Sequence, residues 1–344
     1  MNQNDLTFPF KRYQIQPVWR GDRPAKGRYR EFHQCDADVV GSDSLLFEAE
    51  FISIYDEALS NLGLTDFTIL LNNRKILSGY AEAIGELDKF TDVCVAIDKL
   101  DKIGEEGVKK ELAQRDISSE SAEQLFELIT FEGTAEEKLS FLEEKLKDSE
   151  VGLKGLAEMR EVLDTYQHFS RYGAKVDFNL KLARGLNYYT GTIYEVKVNN
   201  IDLGSIGGGG RYADLTGVFG KPGLSGVGIS FGADRIYLAM EELGLFEDLN
   251  EGSAQVLLIN FGGDTQATAL ATLNKLRAEG ISSELYPEAA KMKKQFSYAD
   301  KKHIPYTLMI GQEEMATGKF KLKNMTSGEQ ELLSIETIIE KVKG

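Results

Sequence analysis

The sequence runs to 344 residues, 42% of them hydrophobic and 28% charged, a balance ordinary for a soluble globular protein and a length sufficient for two or three domains. No apolar run approaches the ~20 residues that would carry a helix across a bilayer, and MNQNDLTFPF lacks the basic and apolar regions of a signal peptide. The formal net charge of −15 argues against generic nucleic-acid binding. Its distribution softens that objection: residues 1–41 carry seven Lys and Arg against five Asp and Glu, and residues 253–344 carry twelve against eleven, so the acidity is concentrated between them. Two widely separated cysteines, Cys35 and Cys94, fit a reducing cytoplasm without a disulfide framework. With His33, His168 and His303 they form no usual zinc spacing, so no protein-held metal is expected.

Residues 8–41 read as two strands around a basic turn, with YQIQPVW before it and Tyr29–Val40 resuming after it. Residues 43–62 have helical spacing, and Phe67–Leu71 is a short buried strand. From about Lys75 to Phe169 the pattern is helical and acidic, with N-cap signals at Ser121 (with Gln124) and Thr134 (with Glu137). Residues 174–240 return to strand composition, and a helix follows from Ala233 to Leu243. Asn250–Ser253 reads as a linker. Residues 254–344 alternate strand and helix, as expected of an α/β module with a largely parallel sheet.

Arg20, Arg23, Lys26, Arg28 and Arg30 fall within eleven residues. On a strand Arg28 and Arg30 would share a face, and a hairpin would bring several guanidiniums together. Guanidinium is permanently charged and forked to match phosphate oxygens, so such a cluster suits phosphoryl or nucleotidyl transfer; a solvated basic hairpin would look the same. Arg184, Gly185 and the pair Tyr188–Tyr189 make a second stretch, equally readable as a strand end with core aromatics. The run Gly204–Tyr212 lacks the Lys-Ser/Thr of a phosphate loop and the spacing of a dinucleotide fingerprint. Its glycines more readily let a strand pass close to a ligand or another backbone. Gly226–Arg235 is a glycine-rich strand entering a helix, where Arg235 would alternatively pair with a neighbouring acid.

In residue order, WRGDRPAKGRYREFHQ (19–34) is similar to motif 2 of class II aminoacyl-tRNA synthetases as found in histidyl-tRNA synthetases. LARGLNYYTGT (182–192) resembles the signature peptide of that family, GGGGRY (207–212) its second histidine-specific segment, and residues 226–235 motif 3. The resemblance implies an α+β catalytic domain on an antiparallel sheet, a helical insertion and a C-terminal α/β anticodon-binding domain. The corresponding divisions are 1–77, 78–168, 169–250 and 254–344. It implies ATP as substrate with Mg²⁺, L-histidine and histidine tRNA as partners, and a family homodimer in the cytoplasm with no membrane association. Catalytic roles fall to Arg20 and Arg184, on opposite sides of the α-phosphate. ATP contacts fall to Arg20, Asp22, Arg28, Phe32 and Arg235, with Arg30 near the incoming acceptor end. Histidine contacts fall to Gln34, Asp38, Arg184, Tyr188, Tyr189 and Tyr212. Asp22 and Asp38 stand where a longer acid is common, Asn187 where many relatives have Asp, and Ala213 intervenes before Asp214.

Eight lysines at positions 291, 293, 294, 301, 302, 319, 321 and 323 offer the C-terminal domain a basic surface. Against the family pattern the sequence opens downstream of motif 1, the usual dimer element, and of a segment with an acid for the substrate ammonium. Adenylation by this chain is therefore expected to be poor and dimerisation weak. The competing reading is a non-catalytic paralogue, such as the regulatory subunit of ATP phosphoribosyltransferase, which generally lacks the anticodon domain and loses motif arginines.

Overall fold

The computed structural model describes residues 6–185, 188–213, 217, 220, 222–246 and 254–343. The chain divides into two compact units, Met1–Leu245 and Phe246–Gly344. The expected linker at Asn250–Ser253, Asn187 and Asp214 lie outside the described residues. No described helix is long and apolar enough to cross a membrane.

The first unit is built on a seven-stranded sheet. Its strands are β1 (Phe10–Trp19), β2 (Glu31–Val40), β3 (Phe67–Asn73), β4 (Lys175–Phe178), β5 (Thr192–Val198), β6 (Ser205–Tyr212) and β7 (Gly226–Gly232). Their order is β1-β2-β7-β6-β5-β3-β4, and every neighbouring pair is antiparallel except β3–β4. β1 forms one edge, with Tyr13, Ile15 and Trp19 exposed. Helix α1 (Leu46–Asn61) packs on the centre of the sheet, where Gly207 leaves room for its Tyr55. Its Tyr55 is fully buried, and its hydroxyl donates to the carbonyls of Gly208 and Ser230, each at 3.1 Å.

Six helices separate β3 from β4: α2 (Arg74–Ala83), α3 (Phe90–Asp98), α4 (Leu100–Gln114), α5 (Ser119–Ile129), α6 (Ala135–Lys145) and α7 (Glu150–Gln167). Their apolar stripes share one continuous core with the sheet, so the segment is packed onto it. Gly79 of α2 faces Gly152 of α7, where a Cβ on Gly79 would come within 2.8 Å of the Gly152 backbone; this close approach docks the two helices. Thr134 and Glu137 form the expected capping box of α6. The cap of α5 is Ser118 rather than Ser121: the Ser118 hydroxyl accepts from the Ser121 N–H at 3.0 Å, which makes Ser121 the third helical residue. Helix α8 (Ala233–Glu242) closes the unit directly after β7.

The second unit contains β8 (Val256–Leu258), α9 (Thr265–Ala278), β9 (Ser283–Leu285), α10 (Met292–Lys301), β10 (Tyr306–Met309), α11 (Gln312–Thr317), β11 (Phe320–Asn324), β12 (Gln330–Leu333) and α12 (Ile335–Lys343). The sheet order is β12-β11-β10-β8-β9. Val256 and Leu258 pack with Leu273, Leu276 and Ile338, while Leu257 and Ile259 pack with Tyr286 and Ala299, so both faces of β8 are covered. The sheet is mixed, which corrects the expectation of a largely parallel one. β8 pairs in parallel with β9 and β10, but β11 and β12 add on as antiparallel strands. For β11 and β12 the reason is local: the turn after Asn324 is too short for the crossover that a parallel pair needs.

Candidate active site

The hairpin of β1 and β2 is closed by the loop 20–30. The Arg20 N–H donates to the Arg30 carbonyl at 2.9 Å, and Ala25 bridges Arg28. β2 begins only at Glu31, so Arg28 and Arg30 sit in the loop and not on one strand face. That corrects the strand expectation: Pro24 and Gly27, the latter at φ +66°, bend the backbone here. Arg28 Nε donates to Asp22 Oδ2 at 3.2 Å with Nη2 ion-paired to the same oxygen at 3.1 Å, and Arg30 Nε reaches the Asp22 carbonyl at 3.5 Å. The Arg20 guanidinium lies 5.0 Å from the Phe32 ring centre and donates to Gln34 Oε1 at 2.9 Å.

Alternation places Gln34, Asp36 and Asp38 on one face of β2. The amide nitrogen of Gln34 in turn donates to the Ser230 hydroxyl on β7. The floor beside them is made of glycine. A Cβ on Gly208 would lie 3.4 Å from Arg184 Nη1, and one on Gly210 would be 2.8 Å from both the Tyr189 ring and the Thr192 carbonyl. The absence of side chains at these two positions lets Arg184 and Tyr189 lie down against the strand. Tyr188 and Tyr189 pack with ring centres 4.2 Å apart, Tyr188 half exposed and Tyr189 largely buried, which pushes the Tyr189 phenol above its ordinary range.

Arg184 Nε meets Glu195 Oε2 at 2.8 Å, and its Nη2 donates to the Ser205 hydroxyl at 2.7 Å. Arg235, in the first turn of α8, donates from Nε to the Gly27 carbonyl and from Nη1 to the Ser205 carbonyl, both at 2.6 Å. Burial, and then the neighbouring charges of Arg184, Arg28 and Arg20, lower the Arg235 guanidinium below its usual value. Four guanidiniums thus look into one open cavity of about 1020 Å³, which Asp22, Phe32, Gln34, Tyr188 and Tyr189 also line. Mutually repelling cations held this close favour a polyanion between them.

The histidyl-tRNA synthetase family model matches residues 8–236, and the anticodon binding domain model matches residues 255–344. The chain belongs to the histidyl-tRNA synthetase family. It is 54% identical to the histidine–tRNA ligase of Christiangramia forsetii over 96% of this chain and 72% of that protein. It is 55% identical to that of Bacteroides fragilis over 98% of this chain and 74% of the relative. Among solved structures it is similar to a histidyl-tRNA synthetase from Nostoc sp. PCC 7120, with a TM-score of 0.87 and 35% identity, covering 99% of this chain and 79% of that one.

Within this synthetase-family fold, the expected site residues fall into two groups. Arg20, Asp22, Arg28, Phe32, Gln34, Arg184, Tyr188, Tyr189 and Arg235 line the cavity. Asp38 and Tyr212 are not among its lining residues. They meet each other at 2.9 Å further along the same sheet face, with Arg12 3.7 Å from the Asp38 carboxylate. Burial raises the Asp38 carboxyl above the usual range, against the opposing pull of the Tyr212 hydroxyl and Arg12.

The sequence reading did not single out Glu195, Ser205, Ser230 or Asp234. Glu195 carried a signal, a carboxylate two residues before Lys197 in IYEVKV, whose other residues are Ile, Tyr and Val, and it is 7% exposed. Asp234 accepts from the His33 N–H at 2.7 Å and ties motif 3 to motif 2. Asp98, Asp101 and Lys102 reach the cavity from the α3–α4 corner, a placement no local pattern announces.

Proposed function

We propose that the chain is a histidine–tRNA ligase: it activates L-histidine with ATP to histidyl-adenylate and transfers the histidyl group to the 3′ end of histidine tRNA. The observation that carries this reading is the convergence of Arg20, Arg28, Arg184 and Arg235 on one cavity with a glycine floor. In the first step a histidine carboxylate oxygen attacks the α-phosphorus, the new O–P bond forms and pyrophosphate leaves. In the second, a ribose hydroxyl of the terminal adenosine attacks the activated carbonyl carbon and AMP leaves. Neither step requires a side-chain nucleophile.

Arg20 and Arg184 flank the α-phosphate and stabilise the charge of its pentavalent transition state, and Arg235 holds the γ-phosphate. Phe32, under the Arg20 guanidinium, offers a face to adenine, with the Asp22–Arg28 pair beside it. Gln34, Tyr188 and Tyr189 bound the histidine pocket, while the Asp38–Tyr212 pair lies beyond it on the same sheet face. Among the described residues no group of three or more His, Cys, Asp or Glu is arranged to hold a metal. Mg²⁺ would be held by the phosphates of ATP and water with one or two carboxylates of the site, the manner in which this ion is commonly held.

Residues 1–77 and 169–250 form the catalytic part, 78–168 the insertion and 254–344 the anticodon-binding part. The lysines of the last part suit tRNA phosphates, and the exposed Tyr13, Ile15 and Trp19 on edge strand β1 support weak association with a second copy. The reading places the chain in the cytoplasm. The regulatory-subunit alternative is less supported, because an anticodon-binding domain accompanies all three motif arginines. Histidine-dependent exchange of pyrophosphate into ATP, followed by acylation of histidine tRNA, tests the proposal; exchange indifferent to histidine would sink it.

A further inference from the structure

Two arginines of the site are fastened to one small residue. Ser205 accepts from Arg184 through its hydroxyl at 2.7 Å and from Arg235 through its carbonyl at 2.6 Å. The serine is 7% exposed and follows Gly204, whose φ of +70° turns the chain into β6. β5 and β6 slip in register between Val196 and Lys197, so that Lys197 stands opposite Ser205 while Val196 stands opposite Gly207. The extra residue is a bulge, a device that re-aims a side chain. Here it brings the Ser205 hydroxyl to the side where Glu195 already holds Arg184 Nε at 2.8 Å.

We infer that Glu195 and Ser205 are the positioning residues of this site: together they fix the plane of the Arg184 guanidinium, and Ser205 alone sets its separation from Arg235. The inference rests on the reading of Arg184 as a phosphate and carboxylate contact. The guanidinium has five N–H donors. Nε lies in an ion pair with Glu195 at 2.8 Å and Ser205 takes one N–H on Nη2, which leaves the two on Nη1 above the Gly208 floor and one on Nη2 for a ligand. A free arginine would have to be ordered at the moment of reaction; this one is ordered beforehand. The Ser205 carbonyl, accepting from Arg235, and its hydroxyl, accepting from Arg184, partly offset the repulsion between the two cations.

The test uses the full chain as wild type, Ser205→Ala, Ser205→Thr and Glu195→Gln, with histidine-dependent pyrophosphate exchange as the kinetic readout. A misplacement of a catalytic group by about 1 Å costs on the order of 100-fold in rate. Ser205→Ala is therefore expected to lower kcat about 100-fold while KM for ATP stays within about threefold. Ser205→Thr, which keeps the hydroxyl, should recover most of the loss. A wild-type kcat in Ser205→Ala, or no recovery in Ser205→Thr, overturns the inference. If Ser205→Ala does not fold, Glu195→Gln carries the test, and an unchanged kcat there overturns it equally.

The functional reading is separated by a measurement independent of turnover. The ¹⁵N–¹H resonance of Arg184 Nε, assigned by its loss in Arg184→Lys, should exchange slowly with solvent in the wild type and quickly in the variants. Slow exchange retained in Ser205→Ala and Glu195→Gln overturns the positioning role. Absence of exchange activity in a wild type with a protected Nε–H overturns only the reading of the reaction.

Discussion

Tyr212 on β6 donates its hydroxyl to Asp38 on β2 at 2.9 Å, reaching across the intervening strand β7. Gly226 and Gly228 of β7 make the contact possible. Gly226 lies opposite Tyr212 and Gly228 opposite Asp38, and neither puts a side chain between them. The pair joins β2 to β6 across β7, outside the cavity and with Arg12 of β1 3.7 Å from Asp38.

A pH dependence follows from the raised Asp38 carboxyl, whose first cause is burial. In the window that opens at the ordinary Asp value of about 3.9 and runs up to the raised folded value, the native state keeps a proton that the unfolded chain has released. Stability therefore falls as pH rises through that window. Asp38→Asn has no such proton to lose, so in denaturant titrations the wild type should lose ground to the variant as pH increases above about 4. A constant difference across pH would contradict the burial argument.

Gly210→Ala places a methyl group 2.8 Å from both the Tyr189 ring and the Thr192 carbonyl. Overpacking of this kind costs about 1–3 kcal/mol. Because the ring that must move borders the proposed histidine pocket, KM for histidine should rise more than KM for ATP in steady-state exchange.

Glu48 on α1 is fully buried and forms a two-pronged pair with Arg211 on β6, one contact being 2.6 Å. Arg211 also donates to the Ser225 hydroxyl at 2.7 Å and to the carbonyls of Ser42 and Ser44 at 3.0 and 3.1 Å. Glu48→Ala removes one charge and strands the other, at an expected loss of about 3–5 kcal/mol. The double replacement Glu48→Met with Arg211→Met should be less destabilised than the sum of the single changes, as read by chemical denaturation.

Arg184→Ala should reduce pyrophosphate exchange by about 10²–10³-fold in a chain that still folds, with the thermal midpoint lowered because Glu195, 7% exposed, is left with Lys197 at 3.8 Å. Arg184→Lys should restore little of it: an ammonium has no fork to satisfy Glu195, Ser205 and a ligand together. Retention of activity in either variant would remove Arg184 from its assigned role.

Residues 254–344 have their own sheet with both faces of β8 covered. As a separate fragment they are expected to unfold in one cooperative transition and to bind histidine tRNA with an affinity that falls steeply with salt. Calorimetry and filter binding at two ionic strengths check the two halves of that statement.

The residues themselves determined a good deal. Thr134 and Glu137 capped α6 as their spacing requires, and the alternation of TGTIYEVKV produced β5, because both depend on neighbours within a few residues. The order of Arg20, Arg184 and Arg235 in their motifs carried the family. What only the tertiary structure decided depends on contacts between distant segments. Arg28 and Arg30 left the strand because the loop turned at Gly27, and Asp38 with Tyr212 stood apart from the cavity because strand pairing puts them further along β2 and β6 than Gln34 and Ser205. The bond from Ser205 to both arginines needed a register slip between β5 and β6 and the placement of α8 after β7. Arg184 and Arg235 are 51 positions apart in the chain, and the atom positions that make them one electrostatic unit are set by strand pairing, which no short window of sequence contains.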